Sequence, residues 1–260
     1  MMSVSGEFYQ YLNGELVKFN HALSDPLSVA DSWLVSNGMV RAFDRHAKRF
    51  SGSISDPISQ QQMPEFLSQV KELTPLGGDW FPRIEYREAQ LPGQRLFLRM
   101  REAPIRTKTC SLYTHQAQDT REQPFVKGPD LSLCQKFRRL ANLRGADEAV
   151  LLSEEGYIAD GALSAILWWE GDVLVGPDDS TNWLPSITRE LVFELARQGG
   201  YQTATRAAKP NELEDLEVWS LSALQGIRGV TNWGDINLGQ HRFLAPFRKR
   251  LELLSGSIKN

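Results

Sequence analysis

Apolar positions along the first hundred residues come in short runs broken by turn residues, and only two stretches repeat with helical spacing. Residues 7–19 read as two strands around Asn13-Gly14, the pair best suited to a tight hairpin because both central residues tolerate positive φ. Residues 27–40 repeat the pattern around Asn37-Gly38, with Trp33, Leu34 and Val35 supplying strand-like bulk. A short helix follows over residues 43–50, with Asp44 placed to cap it. Residues 51–62 are polar and turn-rich, whereas residues 64–73 carry Phe66, Leu67, Val70 and Leu73 on one helical face. Residues 82–86 and 95–100 flank Pro92-Gly93 as a third hairpin. Strands, then helices, then strands predict an α+β first domain rather than a βαβ repeat.

The second half opens on residues 114–122, THQAQDTRE, which are polar and aperiodic and read as a linker. The expected division is therefore a smaller N-terminal domain over residues 1–113 and a larger one over residues 123–260. After Lys127 and Gly128-Pro129-Asp130, helical spacing returns at Leu131, Leu133, Cys134, Phe137, Leu140 and Ala141, and Gly145 ends the helix. Ala149-Val150-Leu151-Leu152 is a strand, Glu154-Glu155-Gly156 a turn, and Tyr157-Ile158-Ala159 a strand leading into Asp160. Residues 166–169 and 173–175 make another hairpin, whose Trp168-Trp169 pair reads as core. Leu184-Pro185 precedes a helix over residues 187–197, residues 218–221 and 226–230 are strands, and a helix over residues 243–254 turns Phe247, Leu251 and Leu254 inward. The fold class is α/β, with an α+β first domain and a mixed second one.

Composition narrows the chemistry. With 41% hydrophobic residues in 260, the chain can bury a sizeable core. A net charge of −3, with both signs dispersed, gives no basic stripe for nucleic acid and no polybasic run for a membrane surface. Cys110, Cys134 and four dispersed histidines show no metal or redox spacing, so reduced thiols and no metal are expected. No leader pattern or membrane-length apolar run is present, which predicts a cytoplasmic protein acting on a small molecule.

The stretch from Lys127 to Asp160 carries the most specific signal. A lysine, a helix, the run Gly145-Ala146-Asp147-Glu148-Ala149, and a carboxylate thirty-three residues after the lysine follow one another. Leu184-Pro185-Ser186-Ile187-Thr188-Arg189 and Ser222-Ala223-Leu224-Gln225-Gly226-Ile227-Arg228 come after them. In this order the chain resembles the class IV aminotransferases, which use pyridoxal 5'-phosphate and include the branched-chain and D-amino-acid aminotransferases and aminodeoxychorismate lyase. The thirty-three-residue spacing leans to the lyase branch.

That resemblance implies a two-domain homodimer with the cofactor between the domains. It makes Lys127 the catalytic, Schiff-base-forming lysine and Asp160 the partner of the ring nitrogen. The phosphate would rest on Ile187 and Thr188, with Arg49, from Asp44-Arg45-His46-Ala47-Lys48-Arg49, and the Ser222 hydroxyl. Ser222 and Ala223 would also receive the substrate carboxylate. The family more often has glutamate where Asp160 stands, and glycine where Ser186 stands. The main expectation is an aminotransferase acting on an amino acid and a keto acid. The alternatives are a lyase that releases pyruvate and 4-aminobenzoate from an amino-chorismate-like substrate, and a non-catalytic homologue that only binds the cofactor.

Overall fold

The computed structural model describes residues 6–21 and 23–259; residues 1–5, where the stretch read for a leader begins, Ala22 and Asn260 lie outside them. The chain separates into two compact units. One is Met1–Ile105 with Val126–Pro129 and Leu254–Asn260, the other Arg106–Phe125 with Asp130–Leu253. These units do not follow the expected boundaries at residues 113 and 123. Thr114 closes a strand instead of opening a linker, and the segment bearing Lys127 packs with the first unit.

In the first unit, β1 (Glu7–Leu12) and β2 (Glu15–Lys18) form the hairpin over Asn13-Gly14, both at positive φ. Then come β3 (Val29–Ser32), β4 (Val35–Ser36), β5 (Met39–Arg41), α1 (Phe43–Gly52), α2 (Pro57–Leu73), β6 (Asp79–Trp80), β7 (Arg83–Tyr86) and β8 (Leu96–Met100). A five-stranded antiparallel sheet runs β2-β1-β8-β7-β3. Alternation along its strands sends Ile84, Tyr86, Leu96 and Leu98 into the core with Phe50, Phe66 and Val70 of the helices.

Two helix starts differ from the sequence reading. Asp44 lies in the first turn of α1, and the cap position is Ala42 at φ 48 with no side-chain cap. α2 begins at Pro57 rather than residue 64, because Asp56 accepts from Ser59 N at 2.9 Å and Pro57 occupies a position where a missing N–H costs nothing. Pro64 is thus carried inside the helix.

The second unit comprises β9 (Thr109–Thr114), α3 (Leu131–Asn142), β10 (Glu148–Leu152), β11 (Ile158–Gly161), β12 (Ala165–Glu170), β13 (Val173–Gly176), α4 (Ile187–Gln198), β14 (Gln202–Thr205), β15 (Glu217–Ser222), β16 (Gly226–Trp233) and α5 (Leu244–Leu253). Eight strands join in the order β11-β10-β9-β16-β15-β12-β13-β14, with β9 parallel to both its neighbours and β13 parallel to β14. Phe137 and Ala141 of α3 pack with Ala149 and Leu151 of β10. Trp168 is fully buried and Trp169 stacks on Phe243 at 4.0 Å, so the tryptophan pair is core.

α5 stops at Leu253, which leaves Leu254 exposed rather than inward. The chain ends in β17 (Ser255–Ser257), paired with β5 to complete the sheet β17-β5-β4-β6 of the first unit. No helix among the described residues is long and apolar enough to cross a membrane.

Candidate active site

In the first unit, Lys127 is fixed through its backbone. Its carbonyl accepts from Ala30 N of β3 at 2.7 Å, and Gly128 follows at φ +145. A Cβ on Gly128 would lie 2.8 Å from Val29 Cα and 2.9 Å from Ala30 N. The Gly-Pro turn of the sequence is therefore a close-contact point that lays the lysine's peptide on β3. The lysine side chain is half-buried.

The next residue of β3 is Asp31, fully buried and opposite Ile84 in the sheet register, hence on the face that meets α1. Arg49 Nε donates to its Oδ2 at 2.7 Å and Arg49 Nη2 to its Oδ1 at 2.9 Å, while His46 Nδ1 lies 2.8 Å from Oδ1. Burial drives the Asp31 carboxyl upward, but Arg49 and His46 together outweigh it and hold it well below the usual carboxylate range. Lys127 and Arg49, separated by seventy-eight positions, are thus both anchored to β3.

In the second unit, Asp160 sits on β11 with a side chain only 6% exposed. Its Oδ2 accepts from Leu184 N at 2.9 Å and Arg121 Nη1 at 3.3 Å, and its Oδ1 from Gly161 N at 3.1 Å. Burial pushes its pKa up to about 6, against the opposing pull of Arg121, the Leu184 N–H and Arg189. The turn after it is tight: Gly161 N donates to Ser164 O at 2.8 Å, and a Cβ at Gly161 would collide with Ser164 Oγ.

Leu184 leads into α4, where Ser186 caps the helix by accepting from Arg189 N at 3.3 Å. Ile187 and Thr188 occupy the first turn, where N–H groups have no intrahelical acceptor and the helix dipole favours an anion. Ser222 ends β15, and its Oγ accepts from Gln225 N at 3.1 Å, which leaves the hydroxyl hydrogen to donate elsewhere. Ala223 is in the turn that follows.

The structure thus brings Arg49 and Lys127 to one strand of the first unit, and ties Asp160 by a backbone bond to the approach of the helix bearing Ile187 and Thr188. Asp31 and Arg121 were missed by the sequence reading. Asp31 left one signal, the single charge in the strand-like stretch of residues 27–40, where a charge must be paired if it is buried. Arg121 left none.

The amino-transferase class IV family model matches residues 28–233, four-fifths of the chain. The chain belongs to the class IV aminotransferase family. Aminodeoxychorismate lyase from Bacillus subtilis is 29% identical over 117 residues, 44% of this chain and 39% of that protein, so the match spans well under half of the curated relative. Among solved structures, a hypothetical aminotransferase from Mycobacterium tuberculosis in its PLP-bound form gives a TM-score of 0.75 at 17% identity, covering 96% of this chain and 98% of that one. Branched-chain amino acid aminotransferase from Escherichia coli gives 0.73 at 18% identity, covering 95% and 92%. These likenesses establish the fold of class IV aminotransferases for the chain.

Proposed function

We propose that this chain is a pyridoxal-phosphate-dependent aminotransferase acting on an amino acid and a keto acid, with Lys127 as the attachment point. The carrying observation is the buried carboxylate of Asp160, joined to Leu184 N just ahead of an anion-ready helix terminus. A ring with a basic nitrogen and a phosphate needs that donor set: a fixed anion for a protonated nitrogen, and unpaired N–H groups for a dianion. The residues fit the cofactor. The Mycobacterium tuberculosis neighbour in its PLP-bound form supports the same reading at the level of fold.

When bound, pyridoxal phosphate supplies an electron sink for the bond broken at the substrate Cα. The protein's own residues do the rest. Lys127 would hold the cofactor through its amine and, as a base, would take and return a proton at the substrate Cα. Asp160 holds a proton on the ring nitrogen by its charge. Ile187 and Thr188 N–H, the Ser222 hydroxyl and the Arg49 guanidinium bind the phosphate. Ser222 and Ala223 N–H receive the substrate carboxylate.

The match to aminodeoxychorismate lyase supports a second outcome, release of pyruvate and an aromatic amine from an amino-chorismate-like substrate. A cytoplasmic homodimer is the compartment and assembly proposed with either, on the family resemblance. The test is an absorbance spectrum of the purified protein with pyridoxal phosphate, followed by amine screening. A visible or near-ultraviolet band bleached by borohydride, with new amino acid formed from a keto acid, is the expected result. Pyruvate release without amino transfer assigns the lyase outcome, and the absence of any band rejects both.

A further inference from the structure

Arg121 belongs to a polar, aperiodic stretch, yet its side chain is only 4% exposed and is held on every side. Nε donates to both oxygens of Asp119, at 3.1 and 3.0 Å, and Nη2 donates to Asp119 Oδ2 at 2.8 Å and to Asn182 O at 2.5 Å. Nη1 is then directed at Asp160 Oδ2, 3.3 Å away. A guanidinium is permanently charged and rigid, so a fork gripped by one carboxylate presents its remaining nitrogen in one direction.

The groups facing Asp160 come from three segments. Arg121 comes from the loop after β9, Arg189 from α4, and the Leu184 N–H from the loop before α4. Asp179 acts on Arg189, and Cys134 of α3 on Arg121. Arg189 is spent elsewhere: Nη2 donates to Pro177 O at 2.5 Å and its guanidinium lies 3.8 Å from the centre of the Trp183 ring. Arg121 is the cation in contact with the carboxylate.

We infer that Arg121 is a positioning residue for Asp160: Asp119 aims the guanidinium, whose Nη1 fixes Oδ2 and keeps the carboxylate anionic in a site from which water is largely excluded. The consequence for a ring nitrogen rests on the role proposed for Asp160, but the coupling of Arg121 to Asp160 does not. Arg121 sets the lower end of the pH range in which Asp160 offers a charge, since burial alone would keep the carboxyl protonated to higher pH.

The test is a pH titration of the Asp160 carboxyl by carbon-13 NMR in the full chain, with its signal assigned by its absence from Asp160→Asn. Wild type is compared with Arg121→Gln and Arg121→Lys. An upward shift of about one unit or more is expected for the Gln variant, as for loss of a contacting opposite charge. A smaller upward shift is expected for Lys, which keeps the charge and loses the fork. A folded Gln variant with an unmoved midpoint overturns the inference. If Arg121→Gln does not fold, the Lys variant decides in the same way. Adding pyridoxal phosphate to the same proteins and following its visible and near-ultraviolet absorbance separates the two readings. An Asp160 shift in a protein that takes up no pyridoxal phosphate sinks the proposed function alone, whereas cofactor uptake without a shift sinks the role of Arg121 alone.

Discussion

Arg49 holds the buried carboxylate of Asp31 with two nitrogens, at 2.7 and 2.9 Å, so the arginine assigned to the phosphate is half of an internal ion pair. Asp31 is acceptor-only when ionised; Ser32 N also donates to its Oδ1 at 2.7 Å, and His46 Nδ1, 2.8 Å from the same oxygen, is the fourth donor. Breaking such a pair from one side strands the other charge. Asp31→Ala should therefore destabilise the protein by roughly 3–5 kcal/mol, read by denaturant unfolding. Arg49→Ala confounds cofactor loss with the same damage. Arg49→Lys, which keeps a charge near Asp31 but loses the fork, is the cleaner probe: weaker pyridoxal phosphate retention at nearly unchanged melting temperature is expected, and equal retention would confine Arg49 to the pair.

Gly128→Ala places a Cβ against Val29 Cα and Ala30 N at a backbone angle that L side chains rarely adopt. The Ala30 N to Lys127 O bond should be lost, and with it the placement of the lysine. Borohydride trapping followed by mass spectrometry should show reduced cofactor attachment. A variant with full attachment and wild-type stability would mean that β3 does not position Lys127.

Lys127→Ala removes a half-buried side chain and keeps the backbone carbonyl that accepts from Ala30 N of β3. The folded state should persist with a melting temperature close to that of wild type, while the borohydride-stable adduct disappears. Retention of the adduct on another lysine would reassign the attachment point.

Asp160→Asn keeps the hydrogen-bond acceptor for Leu184 N and removes the charge. Cofactor attachment should survive, and turnover should fall at least tenfold, about 1.4 kcal/mol of barrier. Asp160→Glu should lose activity if the carboxylate already contacts the ring and keep it if the shorter side chain works through a water. Equal turnover in all three proteins would return Asp160 to a purely structural role.

Glu148 supplies a pH prediction of its own. It is fully buried, bonded to Ala149 N at 3.1 Å, and burial pushes its pKa up to about 7 against the pull of Arg138 and Arg228. Its folded value lies above its ordinary 4.5, so the native state binds a proton that the unfolded chain has released between those values. Stability from this group is full below pH 4.5 and lost as pH rises towards 7, by up to about 1.4 kcal/mol per pH unit. Asp160, raised from 3.8 to about 6, adds a slope of the same sign between those values. Glu148→Gln should flatten the decline between pH 5 and 7 in urea unfolding; an unchanged slope would show that Glu148 is ionised throughout.

By itself the sequence determined the elements whose chemistry is local. Asn13-Gly14 and Asn37-Gly38 specify their hairpins because positive φ is cheap there, and the apolar stripe of residues 131–141 specifies α3. The ordered motifs around Lys127, Asp160, Ile187 and Ser222 determined the family. Polar strands were illegible: β14 and β17 are held by ladder bonds to strands far away in the chain, which no local alternation announces. Pro64 marked a helix start in the sequence, yet the capping bond at Asp56 begins α2 seven residues earlier. Only the tertiary structure decided which charges are paired. Asp31 with Arg49, and Arg121 with Asp160, meet across eighteen and thirty-nine positions because burial makes an unpaired charge too costly to keep.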